Sequence, residues 1–319
     1  MIVDFFCHIY PRDYVKYAIR CANAPNWRFV GSVQSEGSLS GFCDPEPRLL
    51  LMDKYGIDRQ VLCLGNPFPE HFGDGAVELA RVANDAIAAI VSRYPDRFSG
   101  IASLPLAQID EALAELERAT TVLGLKGILL TSHVKGRSLA SPEFLPLFER
   151  AVEKDIFILL HPADTPSHDG RYDQGLMIAL AWPFDTSLAL ARLVTAGVLE
   201  RLPDLKIVAH HAAGMIPFFA GRFASRDERE RRFPRPLLDY FRRFYGDTAV
   251  DGWTPALDCA HAFFGSEHLV FGTDYPFGPG DGERFIRQNL DAVNAMAISP
   301  EAREKILGLN ALKLLRLSR

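Results

Sequence analysis

The chain of 319 residues is 48% hydrophobic and 24% charged, with a formal net charge of −5 and a pI near 6.0. Those totals describe a globular domain that buries a sizeable core; they exclude extensive disorder and the broad basic field with which nucleic-acid binders displace phosphate counterions. The five cysteines, Cys7, Cys21, Cys43, Cys63 and Cys259, are odd in number and form no C-x-x-C pair, so reduced thiols in a cytoplasmic protein are expected.

From its start the chain reads as strands alternating with helices. Eight short β-branched or aromatic runs are predicted strands: Ile2 to His8, Arg59 to Leu64, Ser99 to Leu104, Lys126 to Thr131, Ile156 to His161, Lys206 to His210, Tyr245 to Val250 and Leu269 to Thr273. Several are apolar throughout, as parallel strands covered on both faces are. Helical periodicity fills the intervals, for instance Ala76 to Arg93, Ile109 to Leu123 and Pro142 to Lys154; Ser299-Pro300 opens a terminal helix toward Leu317. This order predicts an α/β fold, a single (β/α)8 TIM barrel over residues 1–319, and no glycine-rich phosphate loop supports a doubly wound sheet instead. Pro25 to Pro47 after strand one and His168 to Pro183 after strand five exceed a minimal barrel and are expected as loops over the active face. No apolar run is expected to approach the roughly 18 residues of a membrane span, so neither membrane nor nucleic acid is an expected partner.

Reacting groups of a TIM barrel sit at the C-terminal ends of its strands. Four strand ends carry imidazole or carboxylate: His8, His161, the pair His210/His211, and Asp274. A lone strand-end histidine is commonly a hydrogen-bonded structural residue. Four that topology brings to one rim suit a metal or proton-transfer site.

Seven motifs occur in order: Asp4 to Pro11, "MDKYGIDRQVL" at Met52 to Leu62, "RYPDRFSGIASLP" at Arg93 to Pro105, "LHP" at Leu160 to Pro162, "HHAAGMIPFFAGR" at His210 to Arg222, "GTDYPF" at Gly272 to Phe277 and "GLNAL" at Gly308 to Leu312. Through them the chain resembles the amidohydrolase superfamily over nearly its whole length, and within it the branch related to aminocarboxymuconate-semialdehyde decarboxylase. The resemblance implies that His161 is a metal ligand, that a strand-six histidine orients or deprotonates water or substrate, and that Asp274 both coordinates metal and transfers protons. Counting forward from Lys206 and back from Gly214 and Pro217 puts that histidine at His211, with His210 packed beside it. The family usually reads H-x-H in strand one; here Phe6 stands at the first position, and a phenyl ring has no lone pair to give. His8, His161 and Asp274 remain as expected ligands of one divalent ion, zinc first, with manganese or iron behind it.

The reaction implied by the resemblance is non-oxidative decarboxylation of a small aromatic or unsaturated carboxylic acid. Metal-dependent hydrolysis of a lactone or related carbonyl compound is the alternative, and a metal-free barrel that binds a small molecule without turnover is a third reading. Barrels of the resembled branch are often dimers, so the resemblance points to a homodimer without fixing the oligomeric state. Substrate contacts are expected from His133 in "LTSHV", from His210 and from Arg171, whose guanidinium would grip a carboxylate bidentately; Trp27, Arg28, His168 and Trp182 share the two long loops. Asp4 is expected to hold strand one by hydrogen bonding, Cys7 to pack on the face opposite Phe6 and His8, and Arg48 and Asp53 to be surface or capping charges.

Overall fold

The computed structural model describes residues 1–21, 40–163, 176–230 and 232–318. Its main strands are β1 (Val3–Ile9), β2 (Arg59–Leu64), β3 (Phe98–Gly100), β4 (Ala102–Ser103), β5 (Gly127–Thr131), β8 (Phe157–His161), β9 (Lys206–Ala209), β10 (Tyr245–Asp247) and β11 (Leu269–Val270). Two further short strands, β6 (His133–Val134) and β7 (Arg137–Ser138), form a hairpin between β5 and β8. Every pairing among the main strands is parallel, in the orders β1-β2-β3 and β11-β10-β9-β8-β5-β4. The predicted third strand is thus split: Ile101 interrupts it, yet its amide donates to the Leu62 carbonyl at 3.0 Å and Lys126 donates to Gly100 at 2.8 Å, so the two sheets run on from one another. At the other edge the Phe5 amide donates to Phe271 at 2.7 Å, Asp274 to Phe6 at 3.0 Å and His8 to Tyr275 at 2.6 Å.

Helices follow the strands, among them Pro45–Tyr55, Ala76–Arg93, Ile109–Thr121, Leu145–Glu153, Trp182–Thr195, Thr254–Phe264 and Glu283–Ala295. Alternate strand residues separate into two packed layers, as period-two geometry requires. Val61, Cys63, Ile101, Leu129, Phe157, Leu159, Val208 and Val270 share one buried cluster, whereas Leu62, Ile128, Leu130, Ile158, Leu160 and Ile207 pack against the helices. The terminal helical segment begins at Pro300 with Ser299 Oγ accepting from the Ala302 amide, and its Ala311, Leu312, Leu314 and Leu315 join the first cluster.

Strand β1 breaks the alternation. Its register to β2 slips between Asp4 and Cys7: Asp4 pairs with Gln60 and Cys7 with Leu62, three steps against two. One extra residue re-aims everything after it. Phe5 and Phe6 therefore both enter the first cluster, Cys7 turns to the helices, and His8 faces the same way as Phe6, with ring centroids 5.6 Å apart.

Asp4 holds β1 as expected: its carboxylate accepts from the Thr273 amide at 3.0 Å, the Thr273 hydroxyl at 2.7 Å and Gln60 at 3.1 Å. Arg48 is a correction. It is fully buried rather than a surface charge, donates to Gln60 Oε1 at 3.2 Å and to the His8 carbonyl, and lies 4.6 Å over the Tyr275 ring. Asp53 is exposed and pairs with Arg97 at 2.8 Å.

A second correction concerns the apolar run Met177–Thr195, 19 residues with mean hydropathy 1.3, which is long and apolar enough to cross a membrane by length and composition. Its Ala181, Ala189, Leu190, Leu193 and Val194 are buried, and the last four pack against the core. Of the two long loops, residues 22–39 and 164–175 lie outside the described residues, and with them Trp27, Arg28, His168 and Arg171.

Candidate active site

The sheet brings the ends of five strands together. His8 sits near the end of β1, His161 ends β8, His210 follows β9 directly, Asp247 ends β10, and Asp274 lies four residues past β11. Three of these imidazoles are tethered by the same ring nitrogen. His8 Nδ1 lies 3.2 Å from the Leu64 carbonyl, His161 Nδ1 2.6 Å from the Pro162 carbonyl, and His210 Nδ1 against the Asp247 carboxylate. A carbonyl only accepts, so the proton of His8 and of His161 is on Nδ1 and the Nε2 lone pair is free. That tether is the one metal-binding histidines use to fix tautomer and ring plane.

The free ends converge. One ring nitrogen from each of His8, His161 and His210 lies within 4.8 Å of the others, all three residues being buried; a second such group comprises His210, His211 and Asp274. His8 Nε2 is 3.1 Å from Asp274 Oδ1 without making a hydrogen bond to it, an orphaned buried lone pair facing a carboxylate. His210 Nε2 lies 3.3 Å from the same oxygen. Imidazole nitrogens with one carboxylate are the donor set of an open divalent-ion site, so the residues present fit a metal.

Charge inside the cluster is divided unevenly. Burial opposes ionisation of Asp274, but the hydrogen bond from His210 and the closeness of His8 outweigh it and hold the carboxyl well below the usual carboxylate range. Burial also works against His210⁺, and Asp247 with Asp274 overrides it, raising that imidazole to about 9. His161 is pushed well down, chiefly by burial and then by His8 and His210. His211 falls to about 4 for the same kind of reason, burial first and then the neighbouring His210.

The strand-six pair is arranged by an unusual turn. His211, Ala212 and Ala213 have φ of 54°, 54° and 62°, three non-glycine residues in succession in the left-handed region. Each such residue costs about 1–2 kcal/mol. Asp247 secures the turn by accepting from Ala212 N at 3.1 Å and Ala249 N at 3.2 Å, and Ser187 Oγ accepts from Met215 N at 2.7 Å. Gly214 is required where the turn meets the neighbouring helix: a Cβ there would stand 2.4 Å from the Pro183 carbonyl. The outcome is two stacked imidazoles, His210 and His211 at 3.7 Å, with His211 Nδ1 buried and without a hydrogen-bond partner among the described residues.

Aromatic rings wall the cluster. Phe6 stacks flat on His210 (3.7 Å, 4°), Phe68 meets His161 at 5.0 Å, Phe277 meets His8 at 5.4 Å, and Trp182 lies 5.9 Å from His161 and 6.4 Å from His211. Trp182, expected in a capping loop, lies within the helical stretch Met177–Thr195. His133 begins the β6–β7 hairpin and accepts at Nδ1 from the Gly136 amide, with Ser132 joined to His161 through the backbone at 2.8 Å. Arg171 lies outside the described residues. Asp247 was not among the expected site residues, although it ends the strand-seven run "YGDT" just as His161 ends strand five. The rings of Phe68 and Phe277 carried no sequence signal of their own.

The sequence profile of the amidohydrolase family matches residues 3–317. The chain is 32% identical over 290 residues to the 2-amino-3-carboxymuconate-6-semialdehyde decarboxylase of Dictyostelium discoideum, covering 86% of this chain and 77% of that protein. It is 31% identical over 290 residues to the gamma-resorcylate decarboxylase of a Polaromonas species, covering 85% and 87%. Among solved structures it is similar to the 5-carboxyvanillate decarboxylase of Novosphingobium aromaticivorans with bound manganese and 3-methoxy-4-hydroxy-5-nitrobenzoic acid, with a TM-score of 0.87 and 27% identity over 99% of this chain and 97% of that one.

Proposed function

Since the chain belongs to the amidohydrolase family, we propose that it is a metal-dependent, non-oxidative decarboxylase of a small aromatic carboxylic acid, built as a closed (β/α)8 barrel. The observation that carries this reading is the cluster of tethered imidazoles and Asp274 ringed by Phe6, Phe68, Phe277 and Trp182, aromatic surface beside a set of residues that fits a cation. Relatives named as decarboxylases of aromatic or unsaturated acids support the choice over lactone hydrolysis.

His8, His161 and Asp274 would hold the ion, which when bound supplies a positive centre that grips the substrate carboxylate and withdraws electron density from it. Zinc suits imidazole-rich donors; manganese is the ion bound in the similar carboxyvanillate enzyme. The aromatic walls orient the ring and exclude water. Asp274 or His211, both of which rest without a proton to give, passes a proton taken up from solvent to the ring carbon that bears the carboxylate, the ring's π electrons forming the new C–H bond. The bond from that carbon to the carboxylate breaks, its electron pair restores the ring, and CO₂ leaves, so that one solvent proton is consumed per turnover. A homodimer in the cytoplasm is part of the proposal.

The test is incubation of metal-loaded protein with hydroxybenzoates, carboxyvanillate, unsaturated dicarboxylates and lactones. CO₂ release from an aromatic acid, abolished by chelation, is expected. Lactone hydrolysis without CO₂, or turnover of nothing by a protein that binds no ion, overturns it.

A further inference from the structure

The strand-one position at which the family resemblance expects an imidazole holds Phe6, so a site built from His8, His161 and Asp274 is one nitrogen short. The geometry supplies a substitute from another strand. His210 has its Nδ1 tied to Asp247, whose other oxygen is itself fixed by two backbone amides, its Nε2 lies 3.3 Å from Asp274, and one of its ring nitrogens shares the 4.8 Å group with those of His8 and His161. Its plane is set by the Phe6 ring lying parallel at 3.7 Å on one face and by His211 at 3.7 Å on the other. A buried imidazole with a carboxylate behind it, and with its outer edge beside Asp274 and grouped with two other imidazoles, is the arrangement of a metal ligand with its supporting carboxylate.

We infer that His210 is a metal ligand of this protein, replacing the imidazole lost at Phe6, so that the ion is held by three nitrogens from strands β1, β8 and β9 together with Asp274. The inference rests on the metal-dependent reading above and deepens it. It leaves His211, next along the chain, as the strand-six imidazole available to substrate. Phe6 then has a positive role: it is the flat support that keeps the relocated ligand in plane. In the competing account, His210 only passes protons between Asp247 and Asp274 and never touches the ion.

Cobalt(II) titration, followed by its visible absorption, separates the two. One equivalent is expected to bind the wild-type protein; His210→Ala should weaken binding by about tenfold or more, and His211→Ala by less than about threefold. Adding Phe6→His to His210→Ala should restore most of the lost affinity, because it returns a nitrogen to the vacated side. Electron–nuclear double resonance of manganese-loaded wild-type protein labelled with ¹⁵N-histidine should count three coupled imidazoles, a readout that does not depend on any variant folding. Two coupled imidazoles, or an affinity in His210→Ala within about threefold of wild type, overturns the inference and leaves the decarboxylase reading standing. A wild-type protein that binds no ion overturns both.

Discussion

Two buried polar networks flank strand β1, and they are finished differently. Around Asp4 the carboxylate's bonds are closed: three donors meet it, and Arg48, whose Nε alone stays unmatched among the described residues, ties Gln60 to the His8 carbonyl. Around His8 they are left open, with His8 Nε2 and His211 Nδ1 buried and unmatched among the described residues. An unmatched buried nitrogen costs about 1–3 kcal/mol, so two of them beside Asp274 suit a cation better than a finished hydrogen-bond network. The closed network serves the open one. Asp4 fixes Thr273, the residue before Asp274, and Arg48 fixes the backbone of His8.

Removing a ligand from the open network should give the largest effect. His161→Ala is expected to lower kcat/KM for decarboxylation by about three orders of magnitude, with loss of the bound ion seen by metal analysis. Retention of both activity and stoichiometric metal would erase the distinction between the two networks. The closed network should instead report on stability. Burial pushes the Asp4 carboxyl up from 3.8 to about 7, and the hydrogen bonds from Thr273 and Gln60 offset this only in part. The folded protein therefore keeps a proton that the unfolded chain releases. Stability from this group is full below about pH 4 and is lost as pH rises toward 7, by about 4 kcal/mol if the whole shift is realised. Asp4→Asn should abolish that slope. Urea unfolding of both chelated proteins between pH 4.5 and 8 reads the difference, and a constant gap would mean that Asp4 is ionised against Arg48 in the fold.

The open network was the more legible of the two. Parallel strands read as apolar runs, so a polar residue that ends one stands out, and His8, His161, His210 and Asp274 were all visible as strand ends. The bulge between Asp4 and Cys7 was not, because a slip in register leaves no trace in composition. Arg48 looked like a surface charge since its acceptor is a backbone carbonyl 40 residues away. Counting along "KIVAHHAAG" pointed to His211 and set His210 aside; the left-handed turn that stacks the two rings depends on Asp247 and Ser187, which counting does not see.

Asp247 is the next place to press. It stands behind His210 as the Leu64 and Pro162 carbonyls stand behind His8 and His161, but it carries a charge and its ring partner is the raised imidazole. Asp247→Asn keeps the size and removes the negative charge; with its carbonyl oxygen accepting from Nδ1, its NH2 faces the Ala212 and Ala249 amides, whose two bonds are lost. Metal affinity or kcat/KM should fall about 10–100-fold, less than for His161→Ala. An unchanged value would place Asp247 with Asp4, as a strut of the fold.

The smallest expected effect belongs to the wall. Trp182 stands near both His161 and His211, 5.9 and 6.4 Å between ring centroids, and the contribution expected of it is the apolar, flat surface it offers to a substrate ring. Trp182→Ala should raise KM about tenfold, worth about 1–2 kcal/mol of ring contact, and change kcat by less than about threefold. Metal stoichiometry should stay at the wild-type value. The reverse split, with kcat falling and KM constant, would show that the indole positions the imidazoles, and the boundary between the binding wall and the reacting cluster would have to be redrawn to include it.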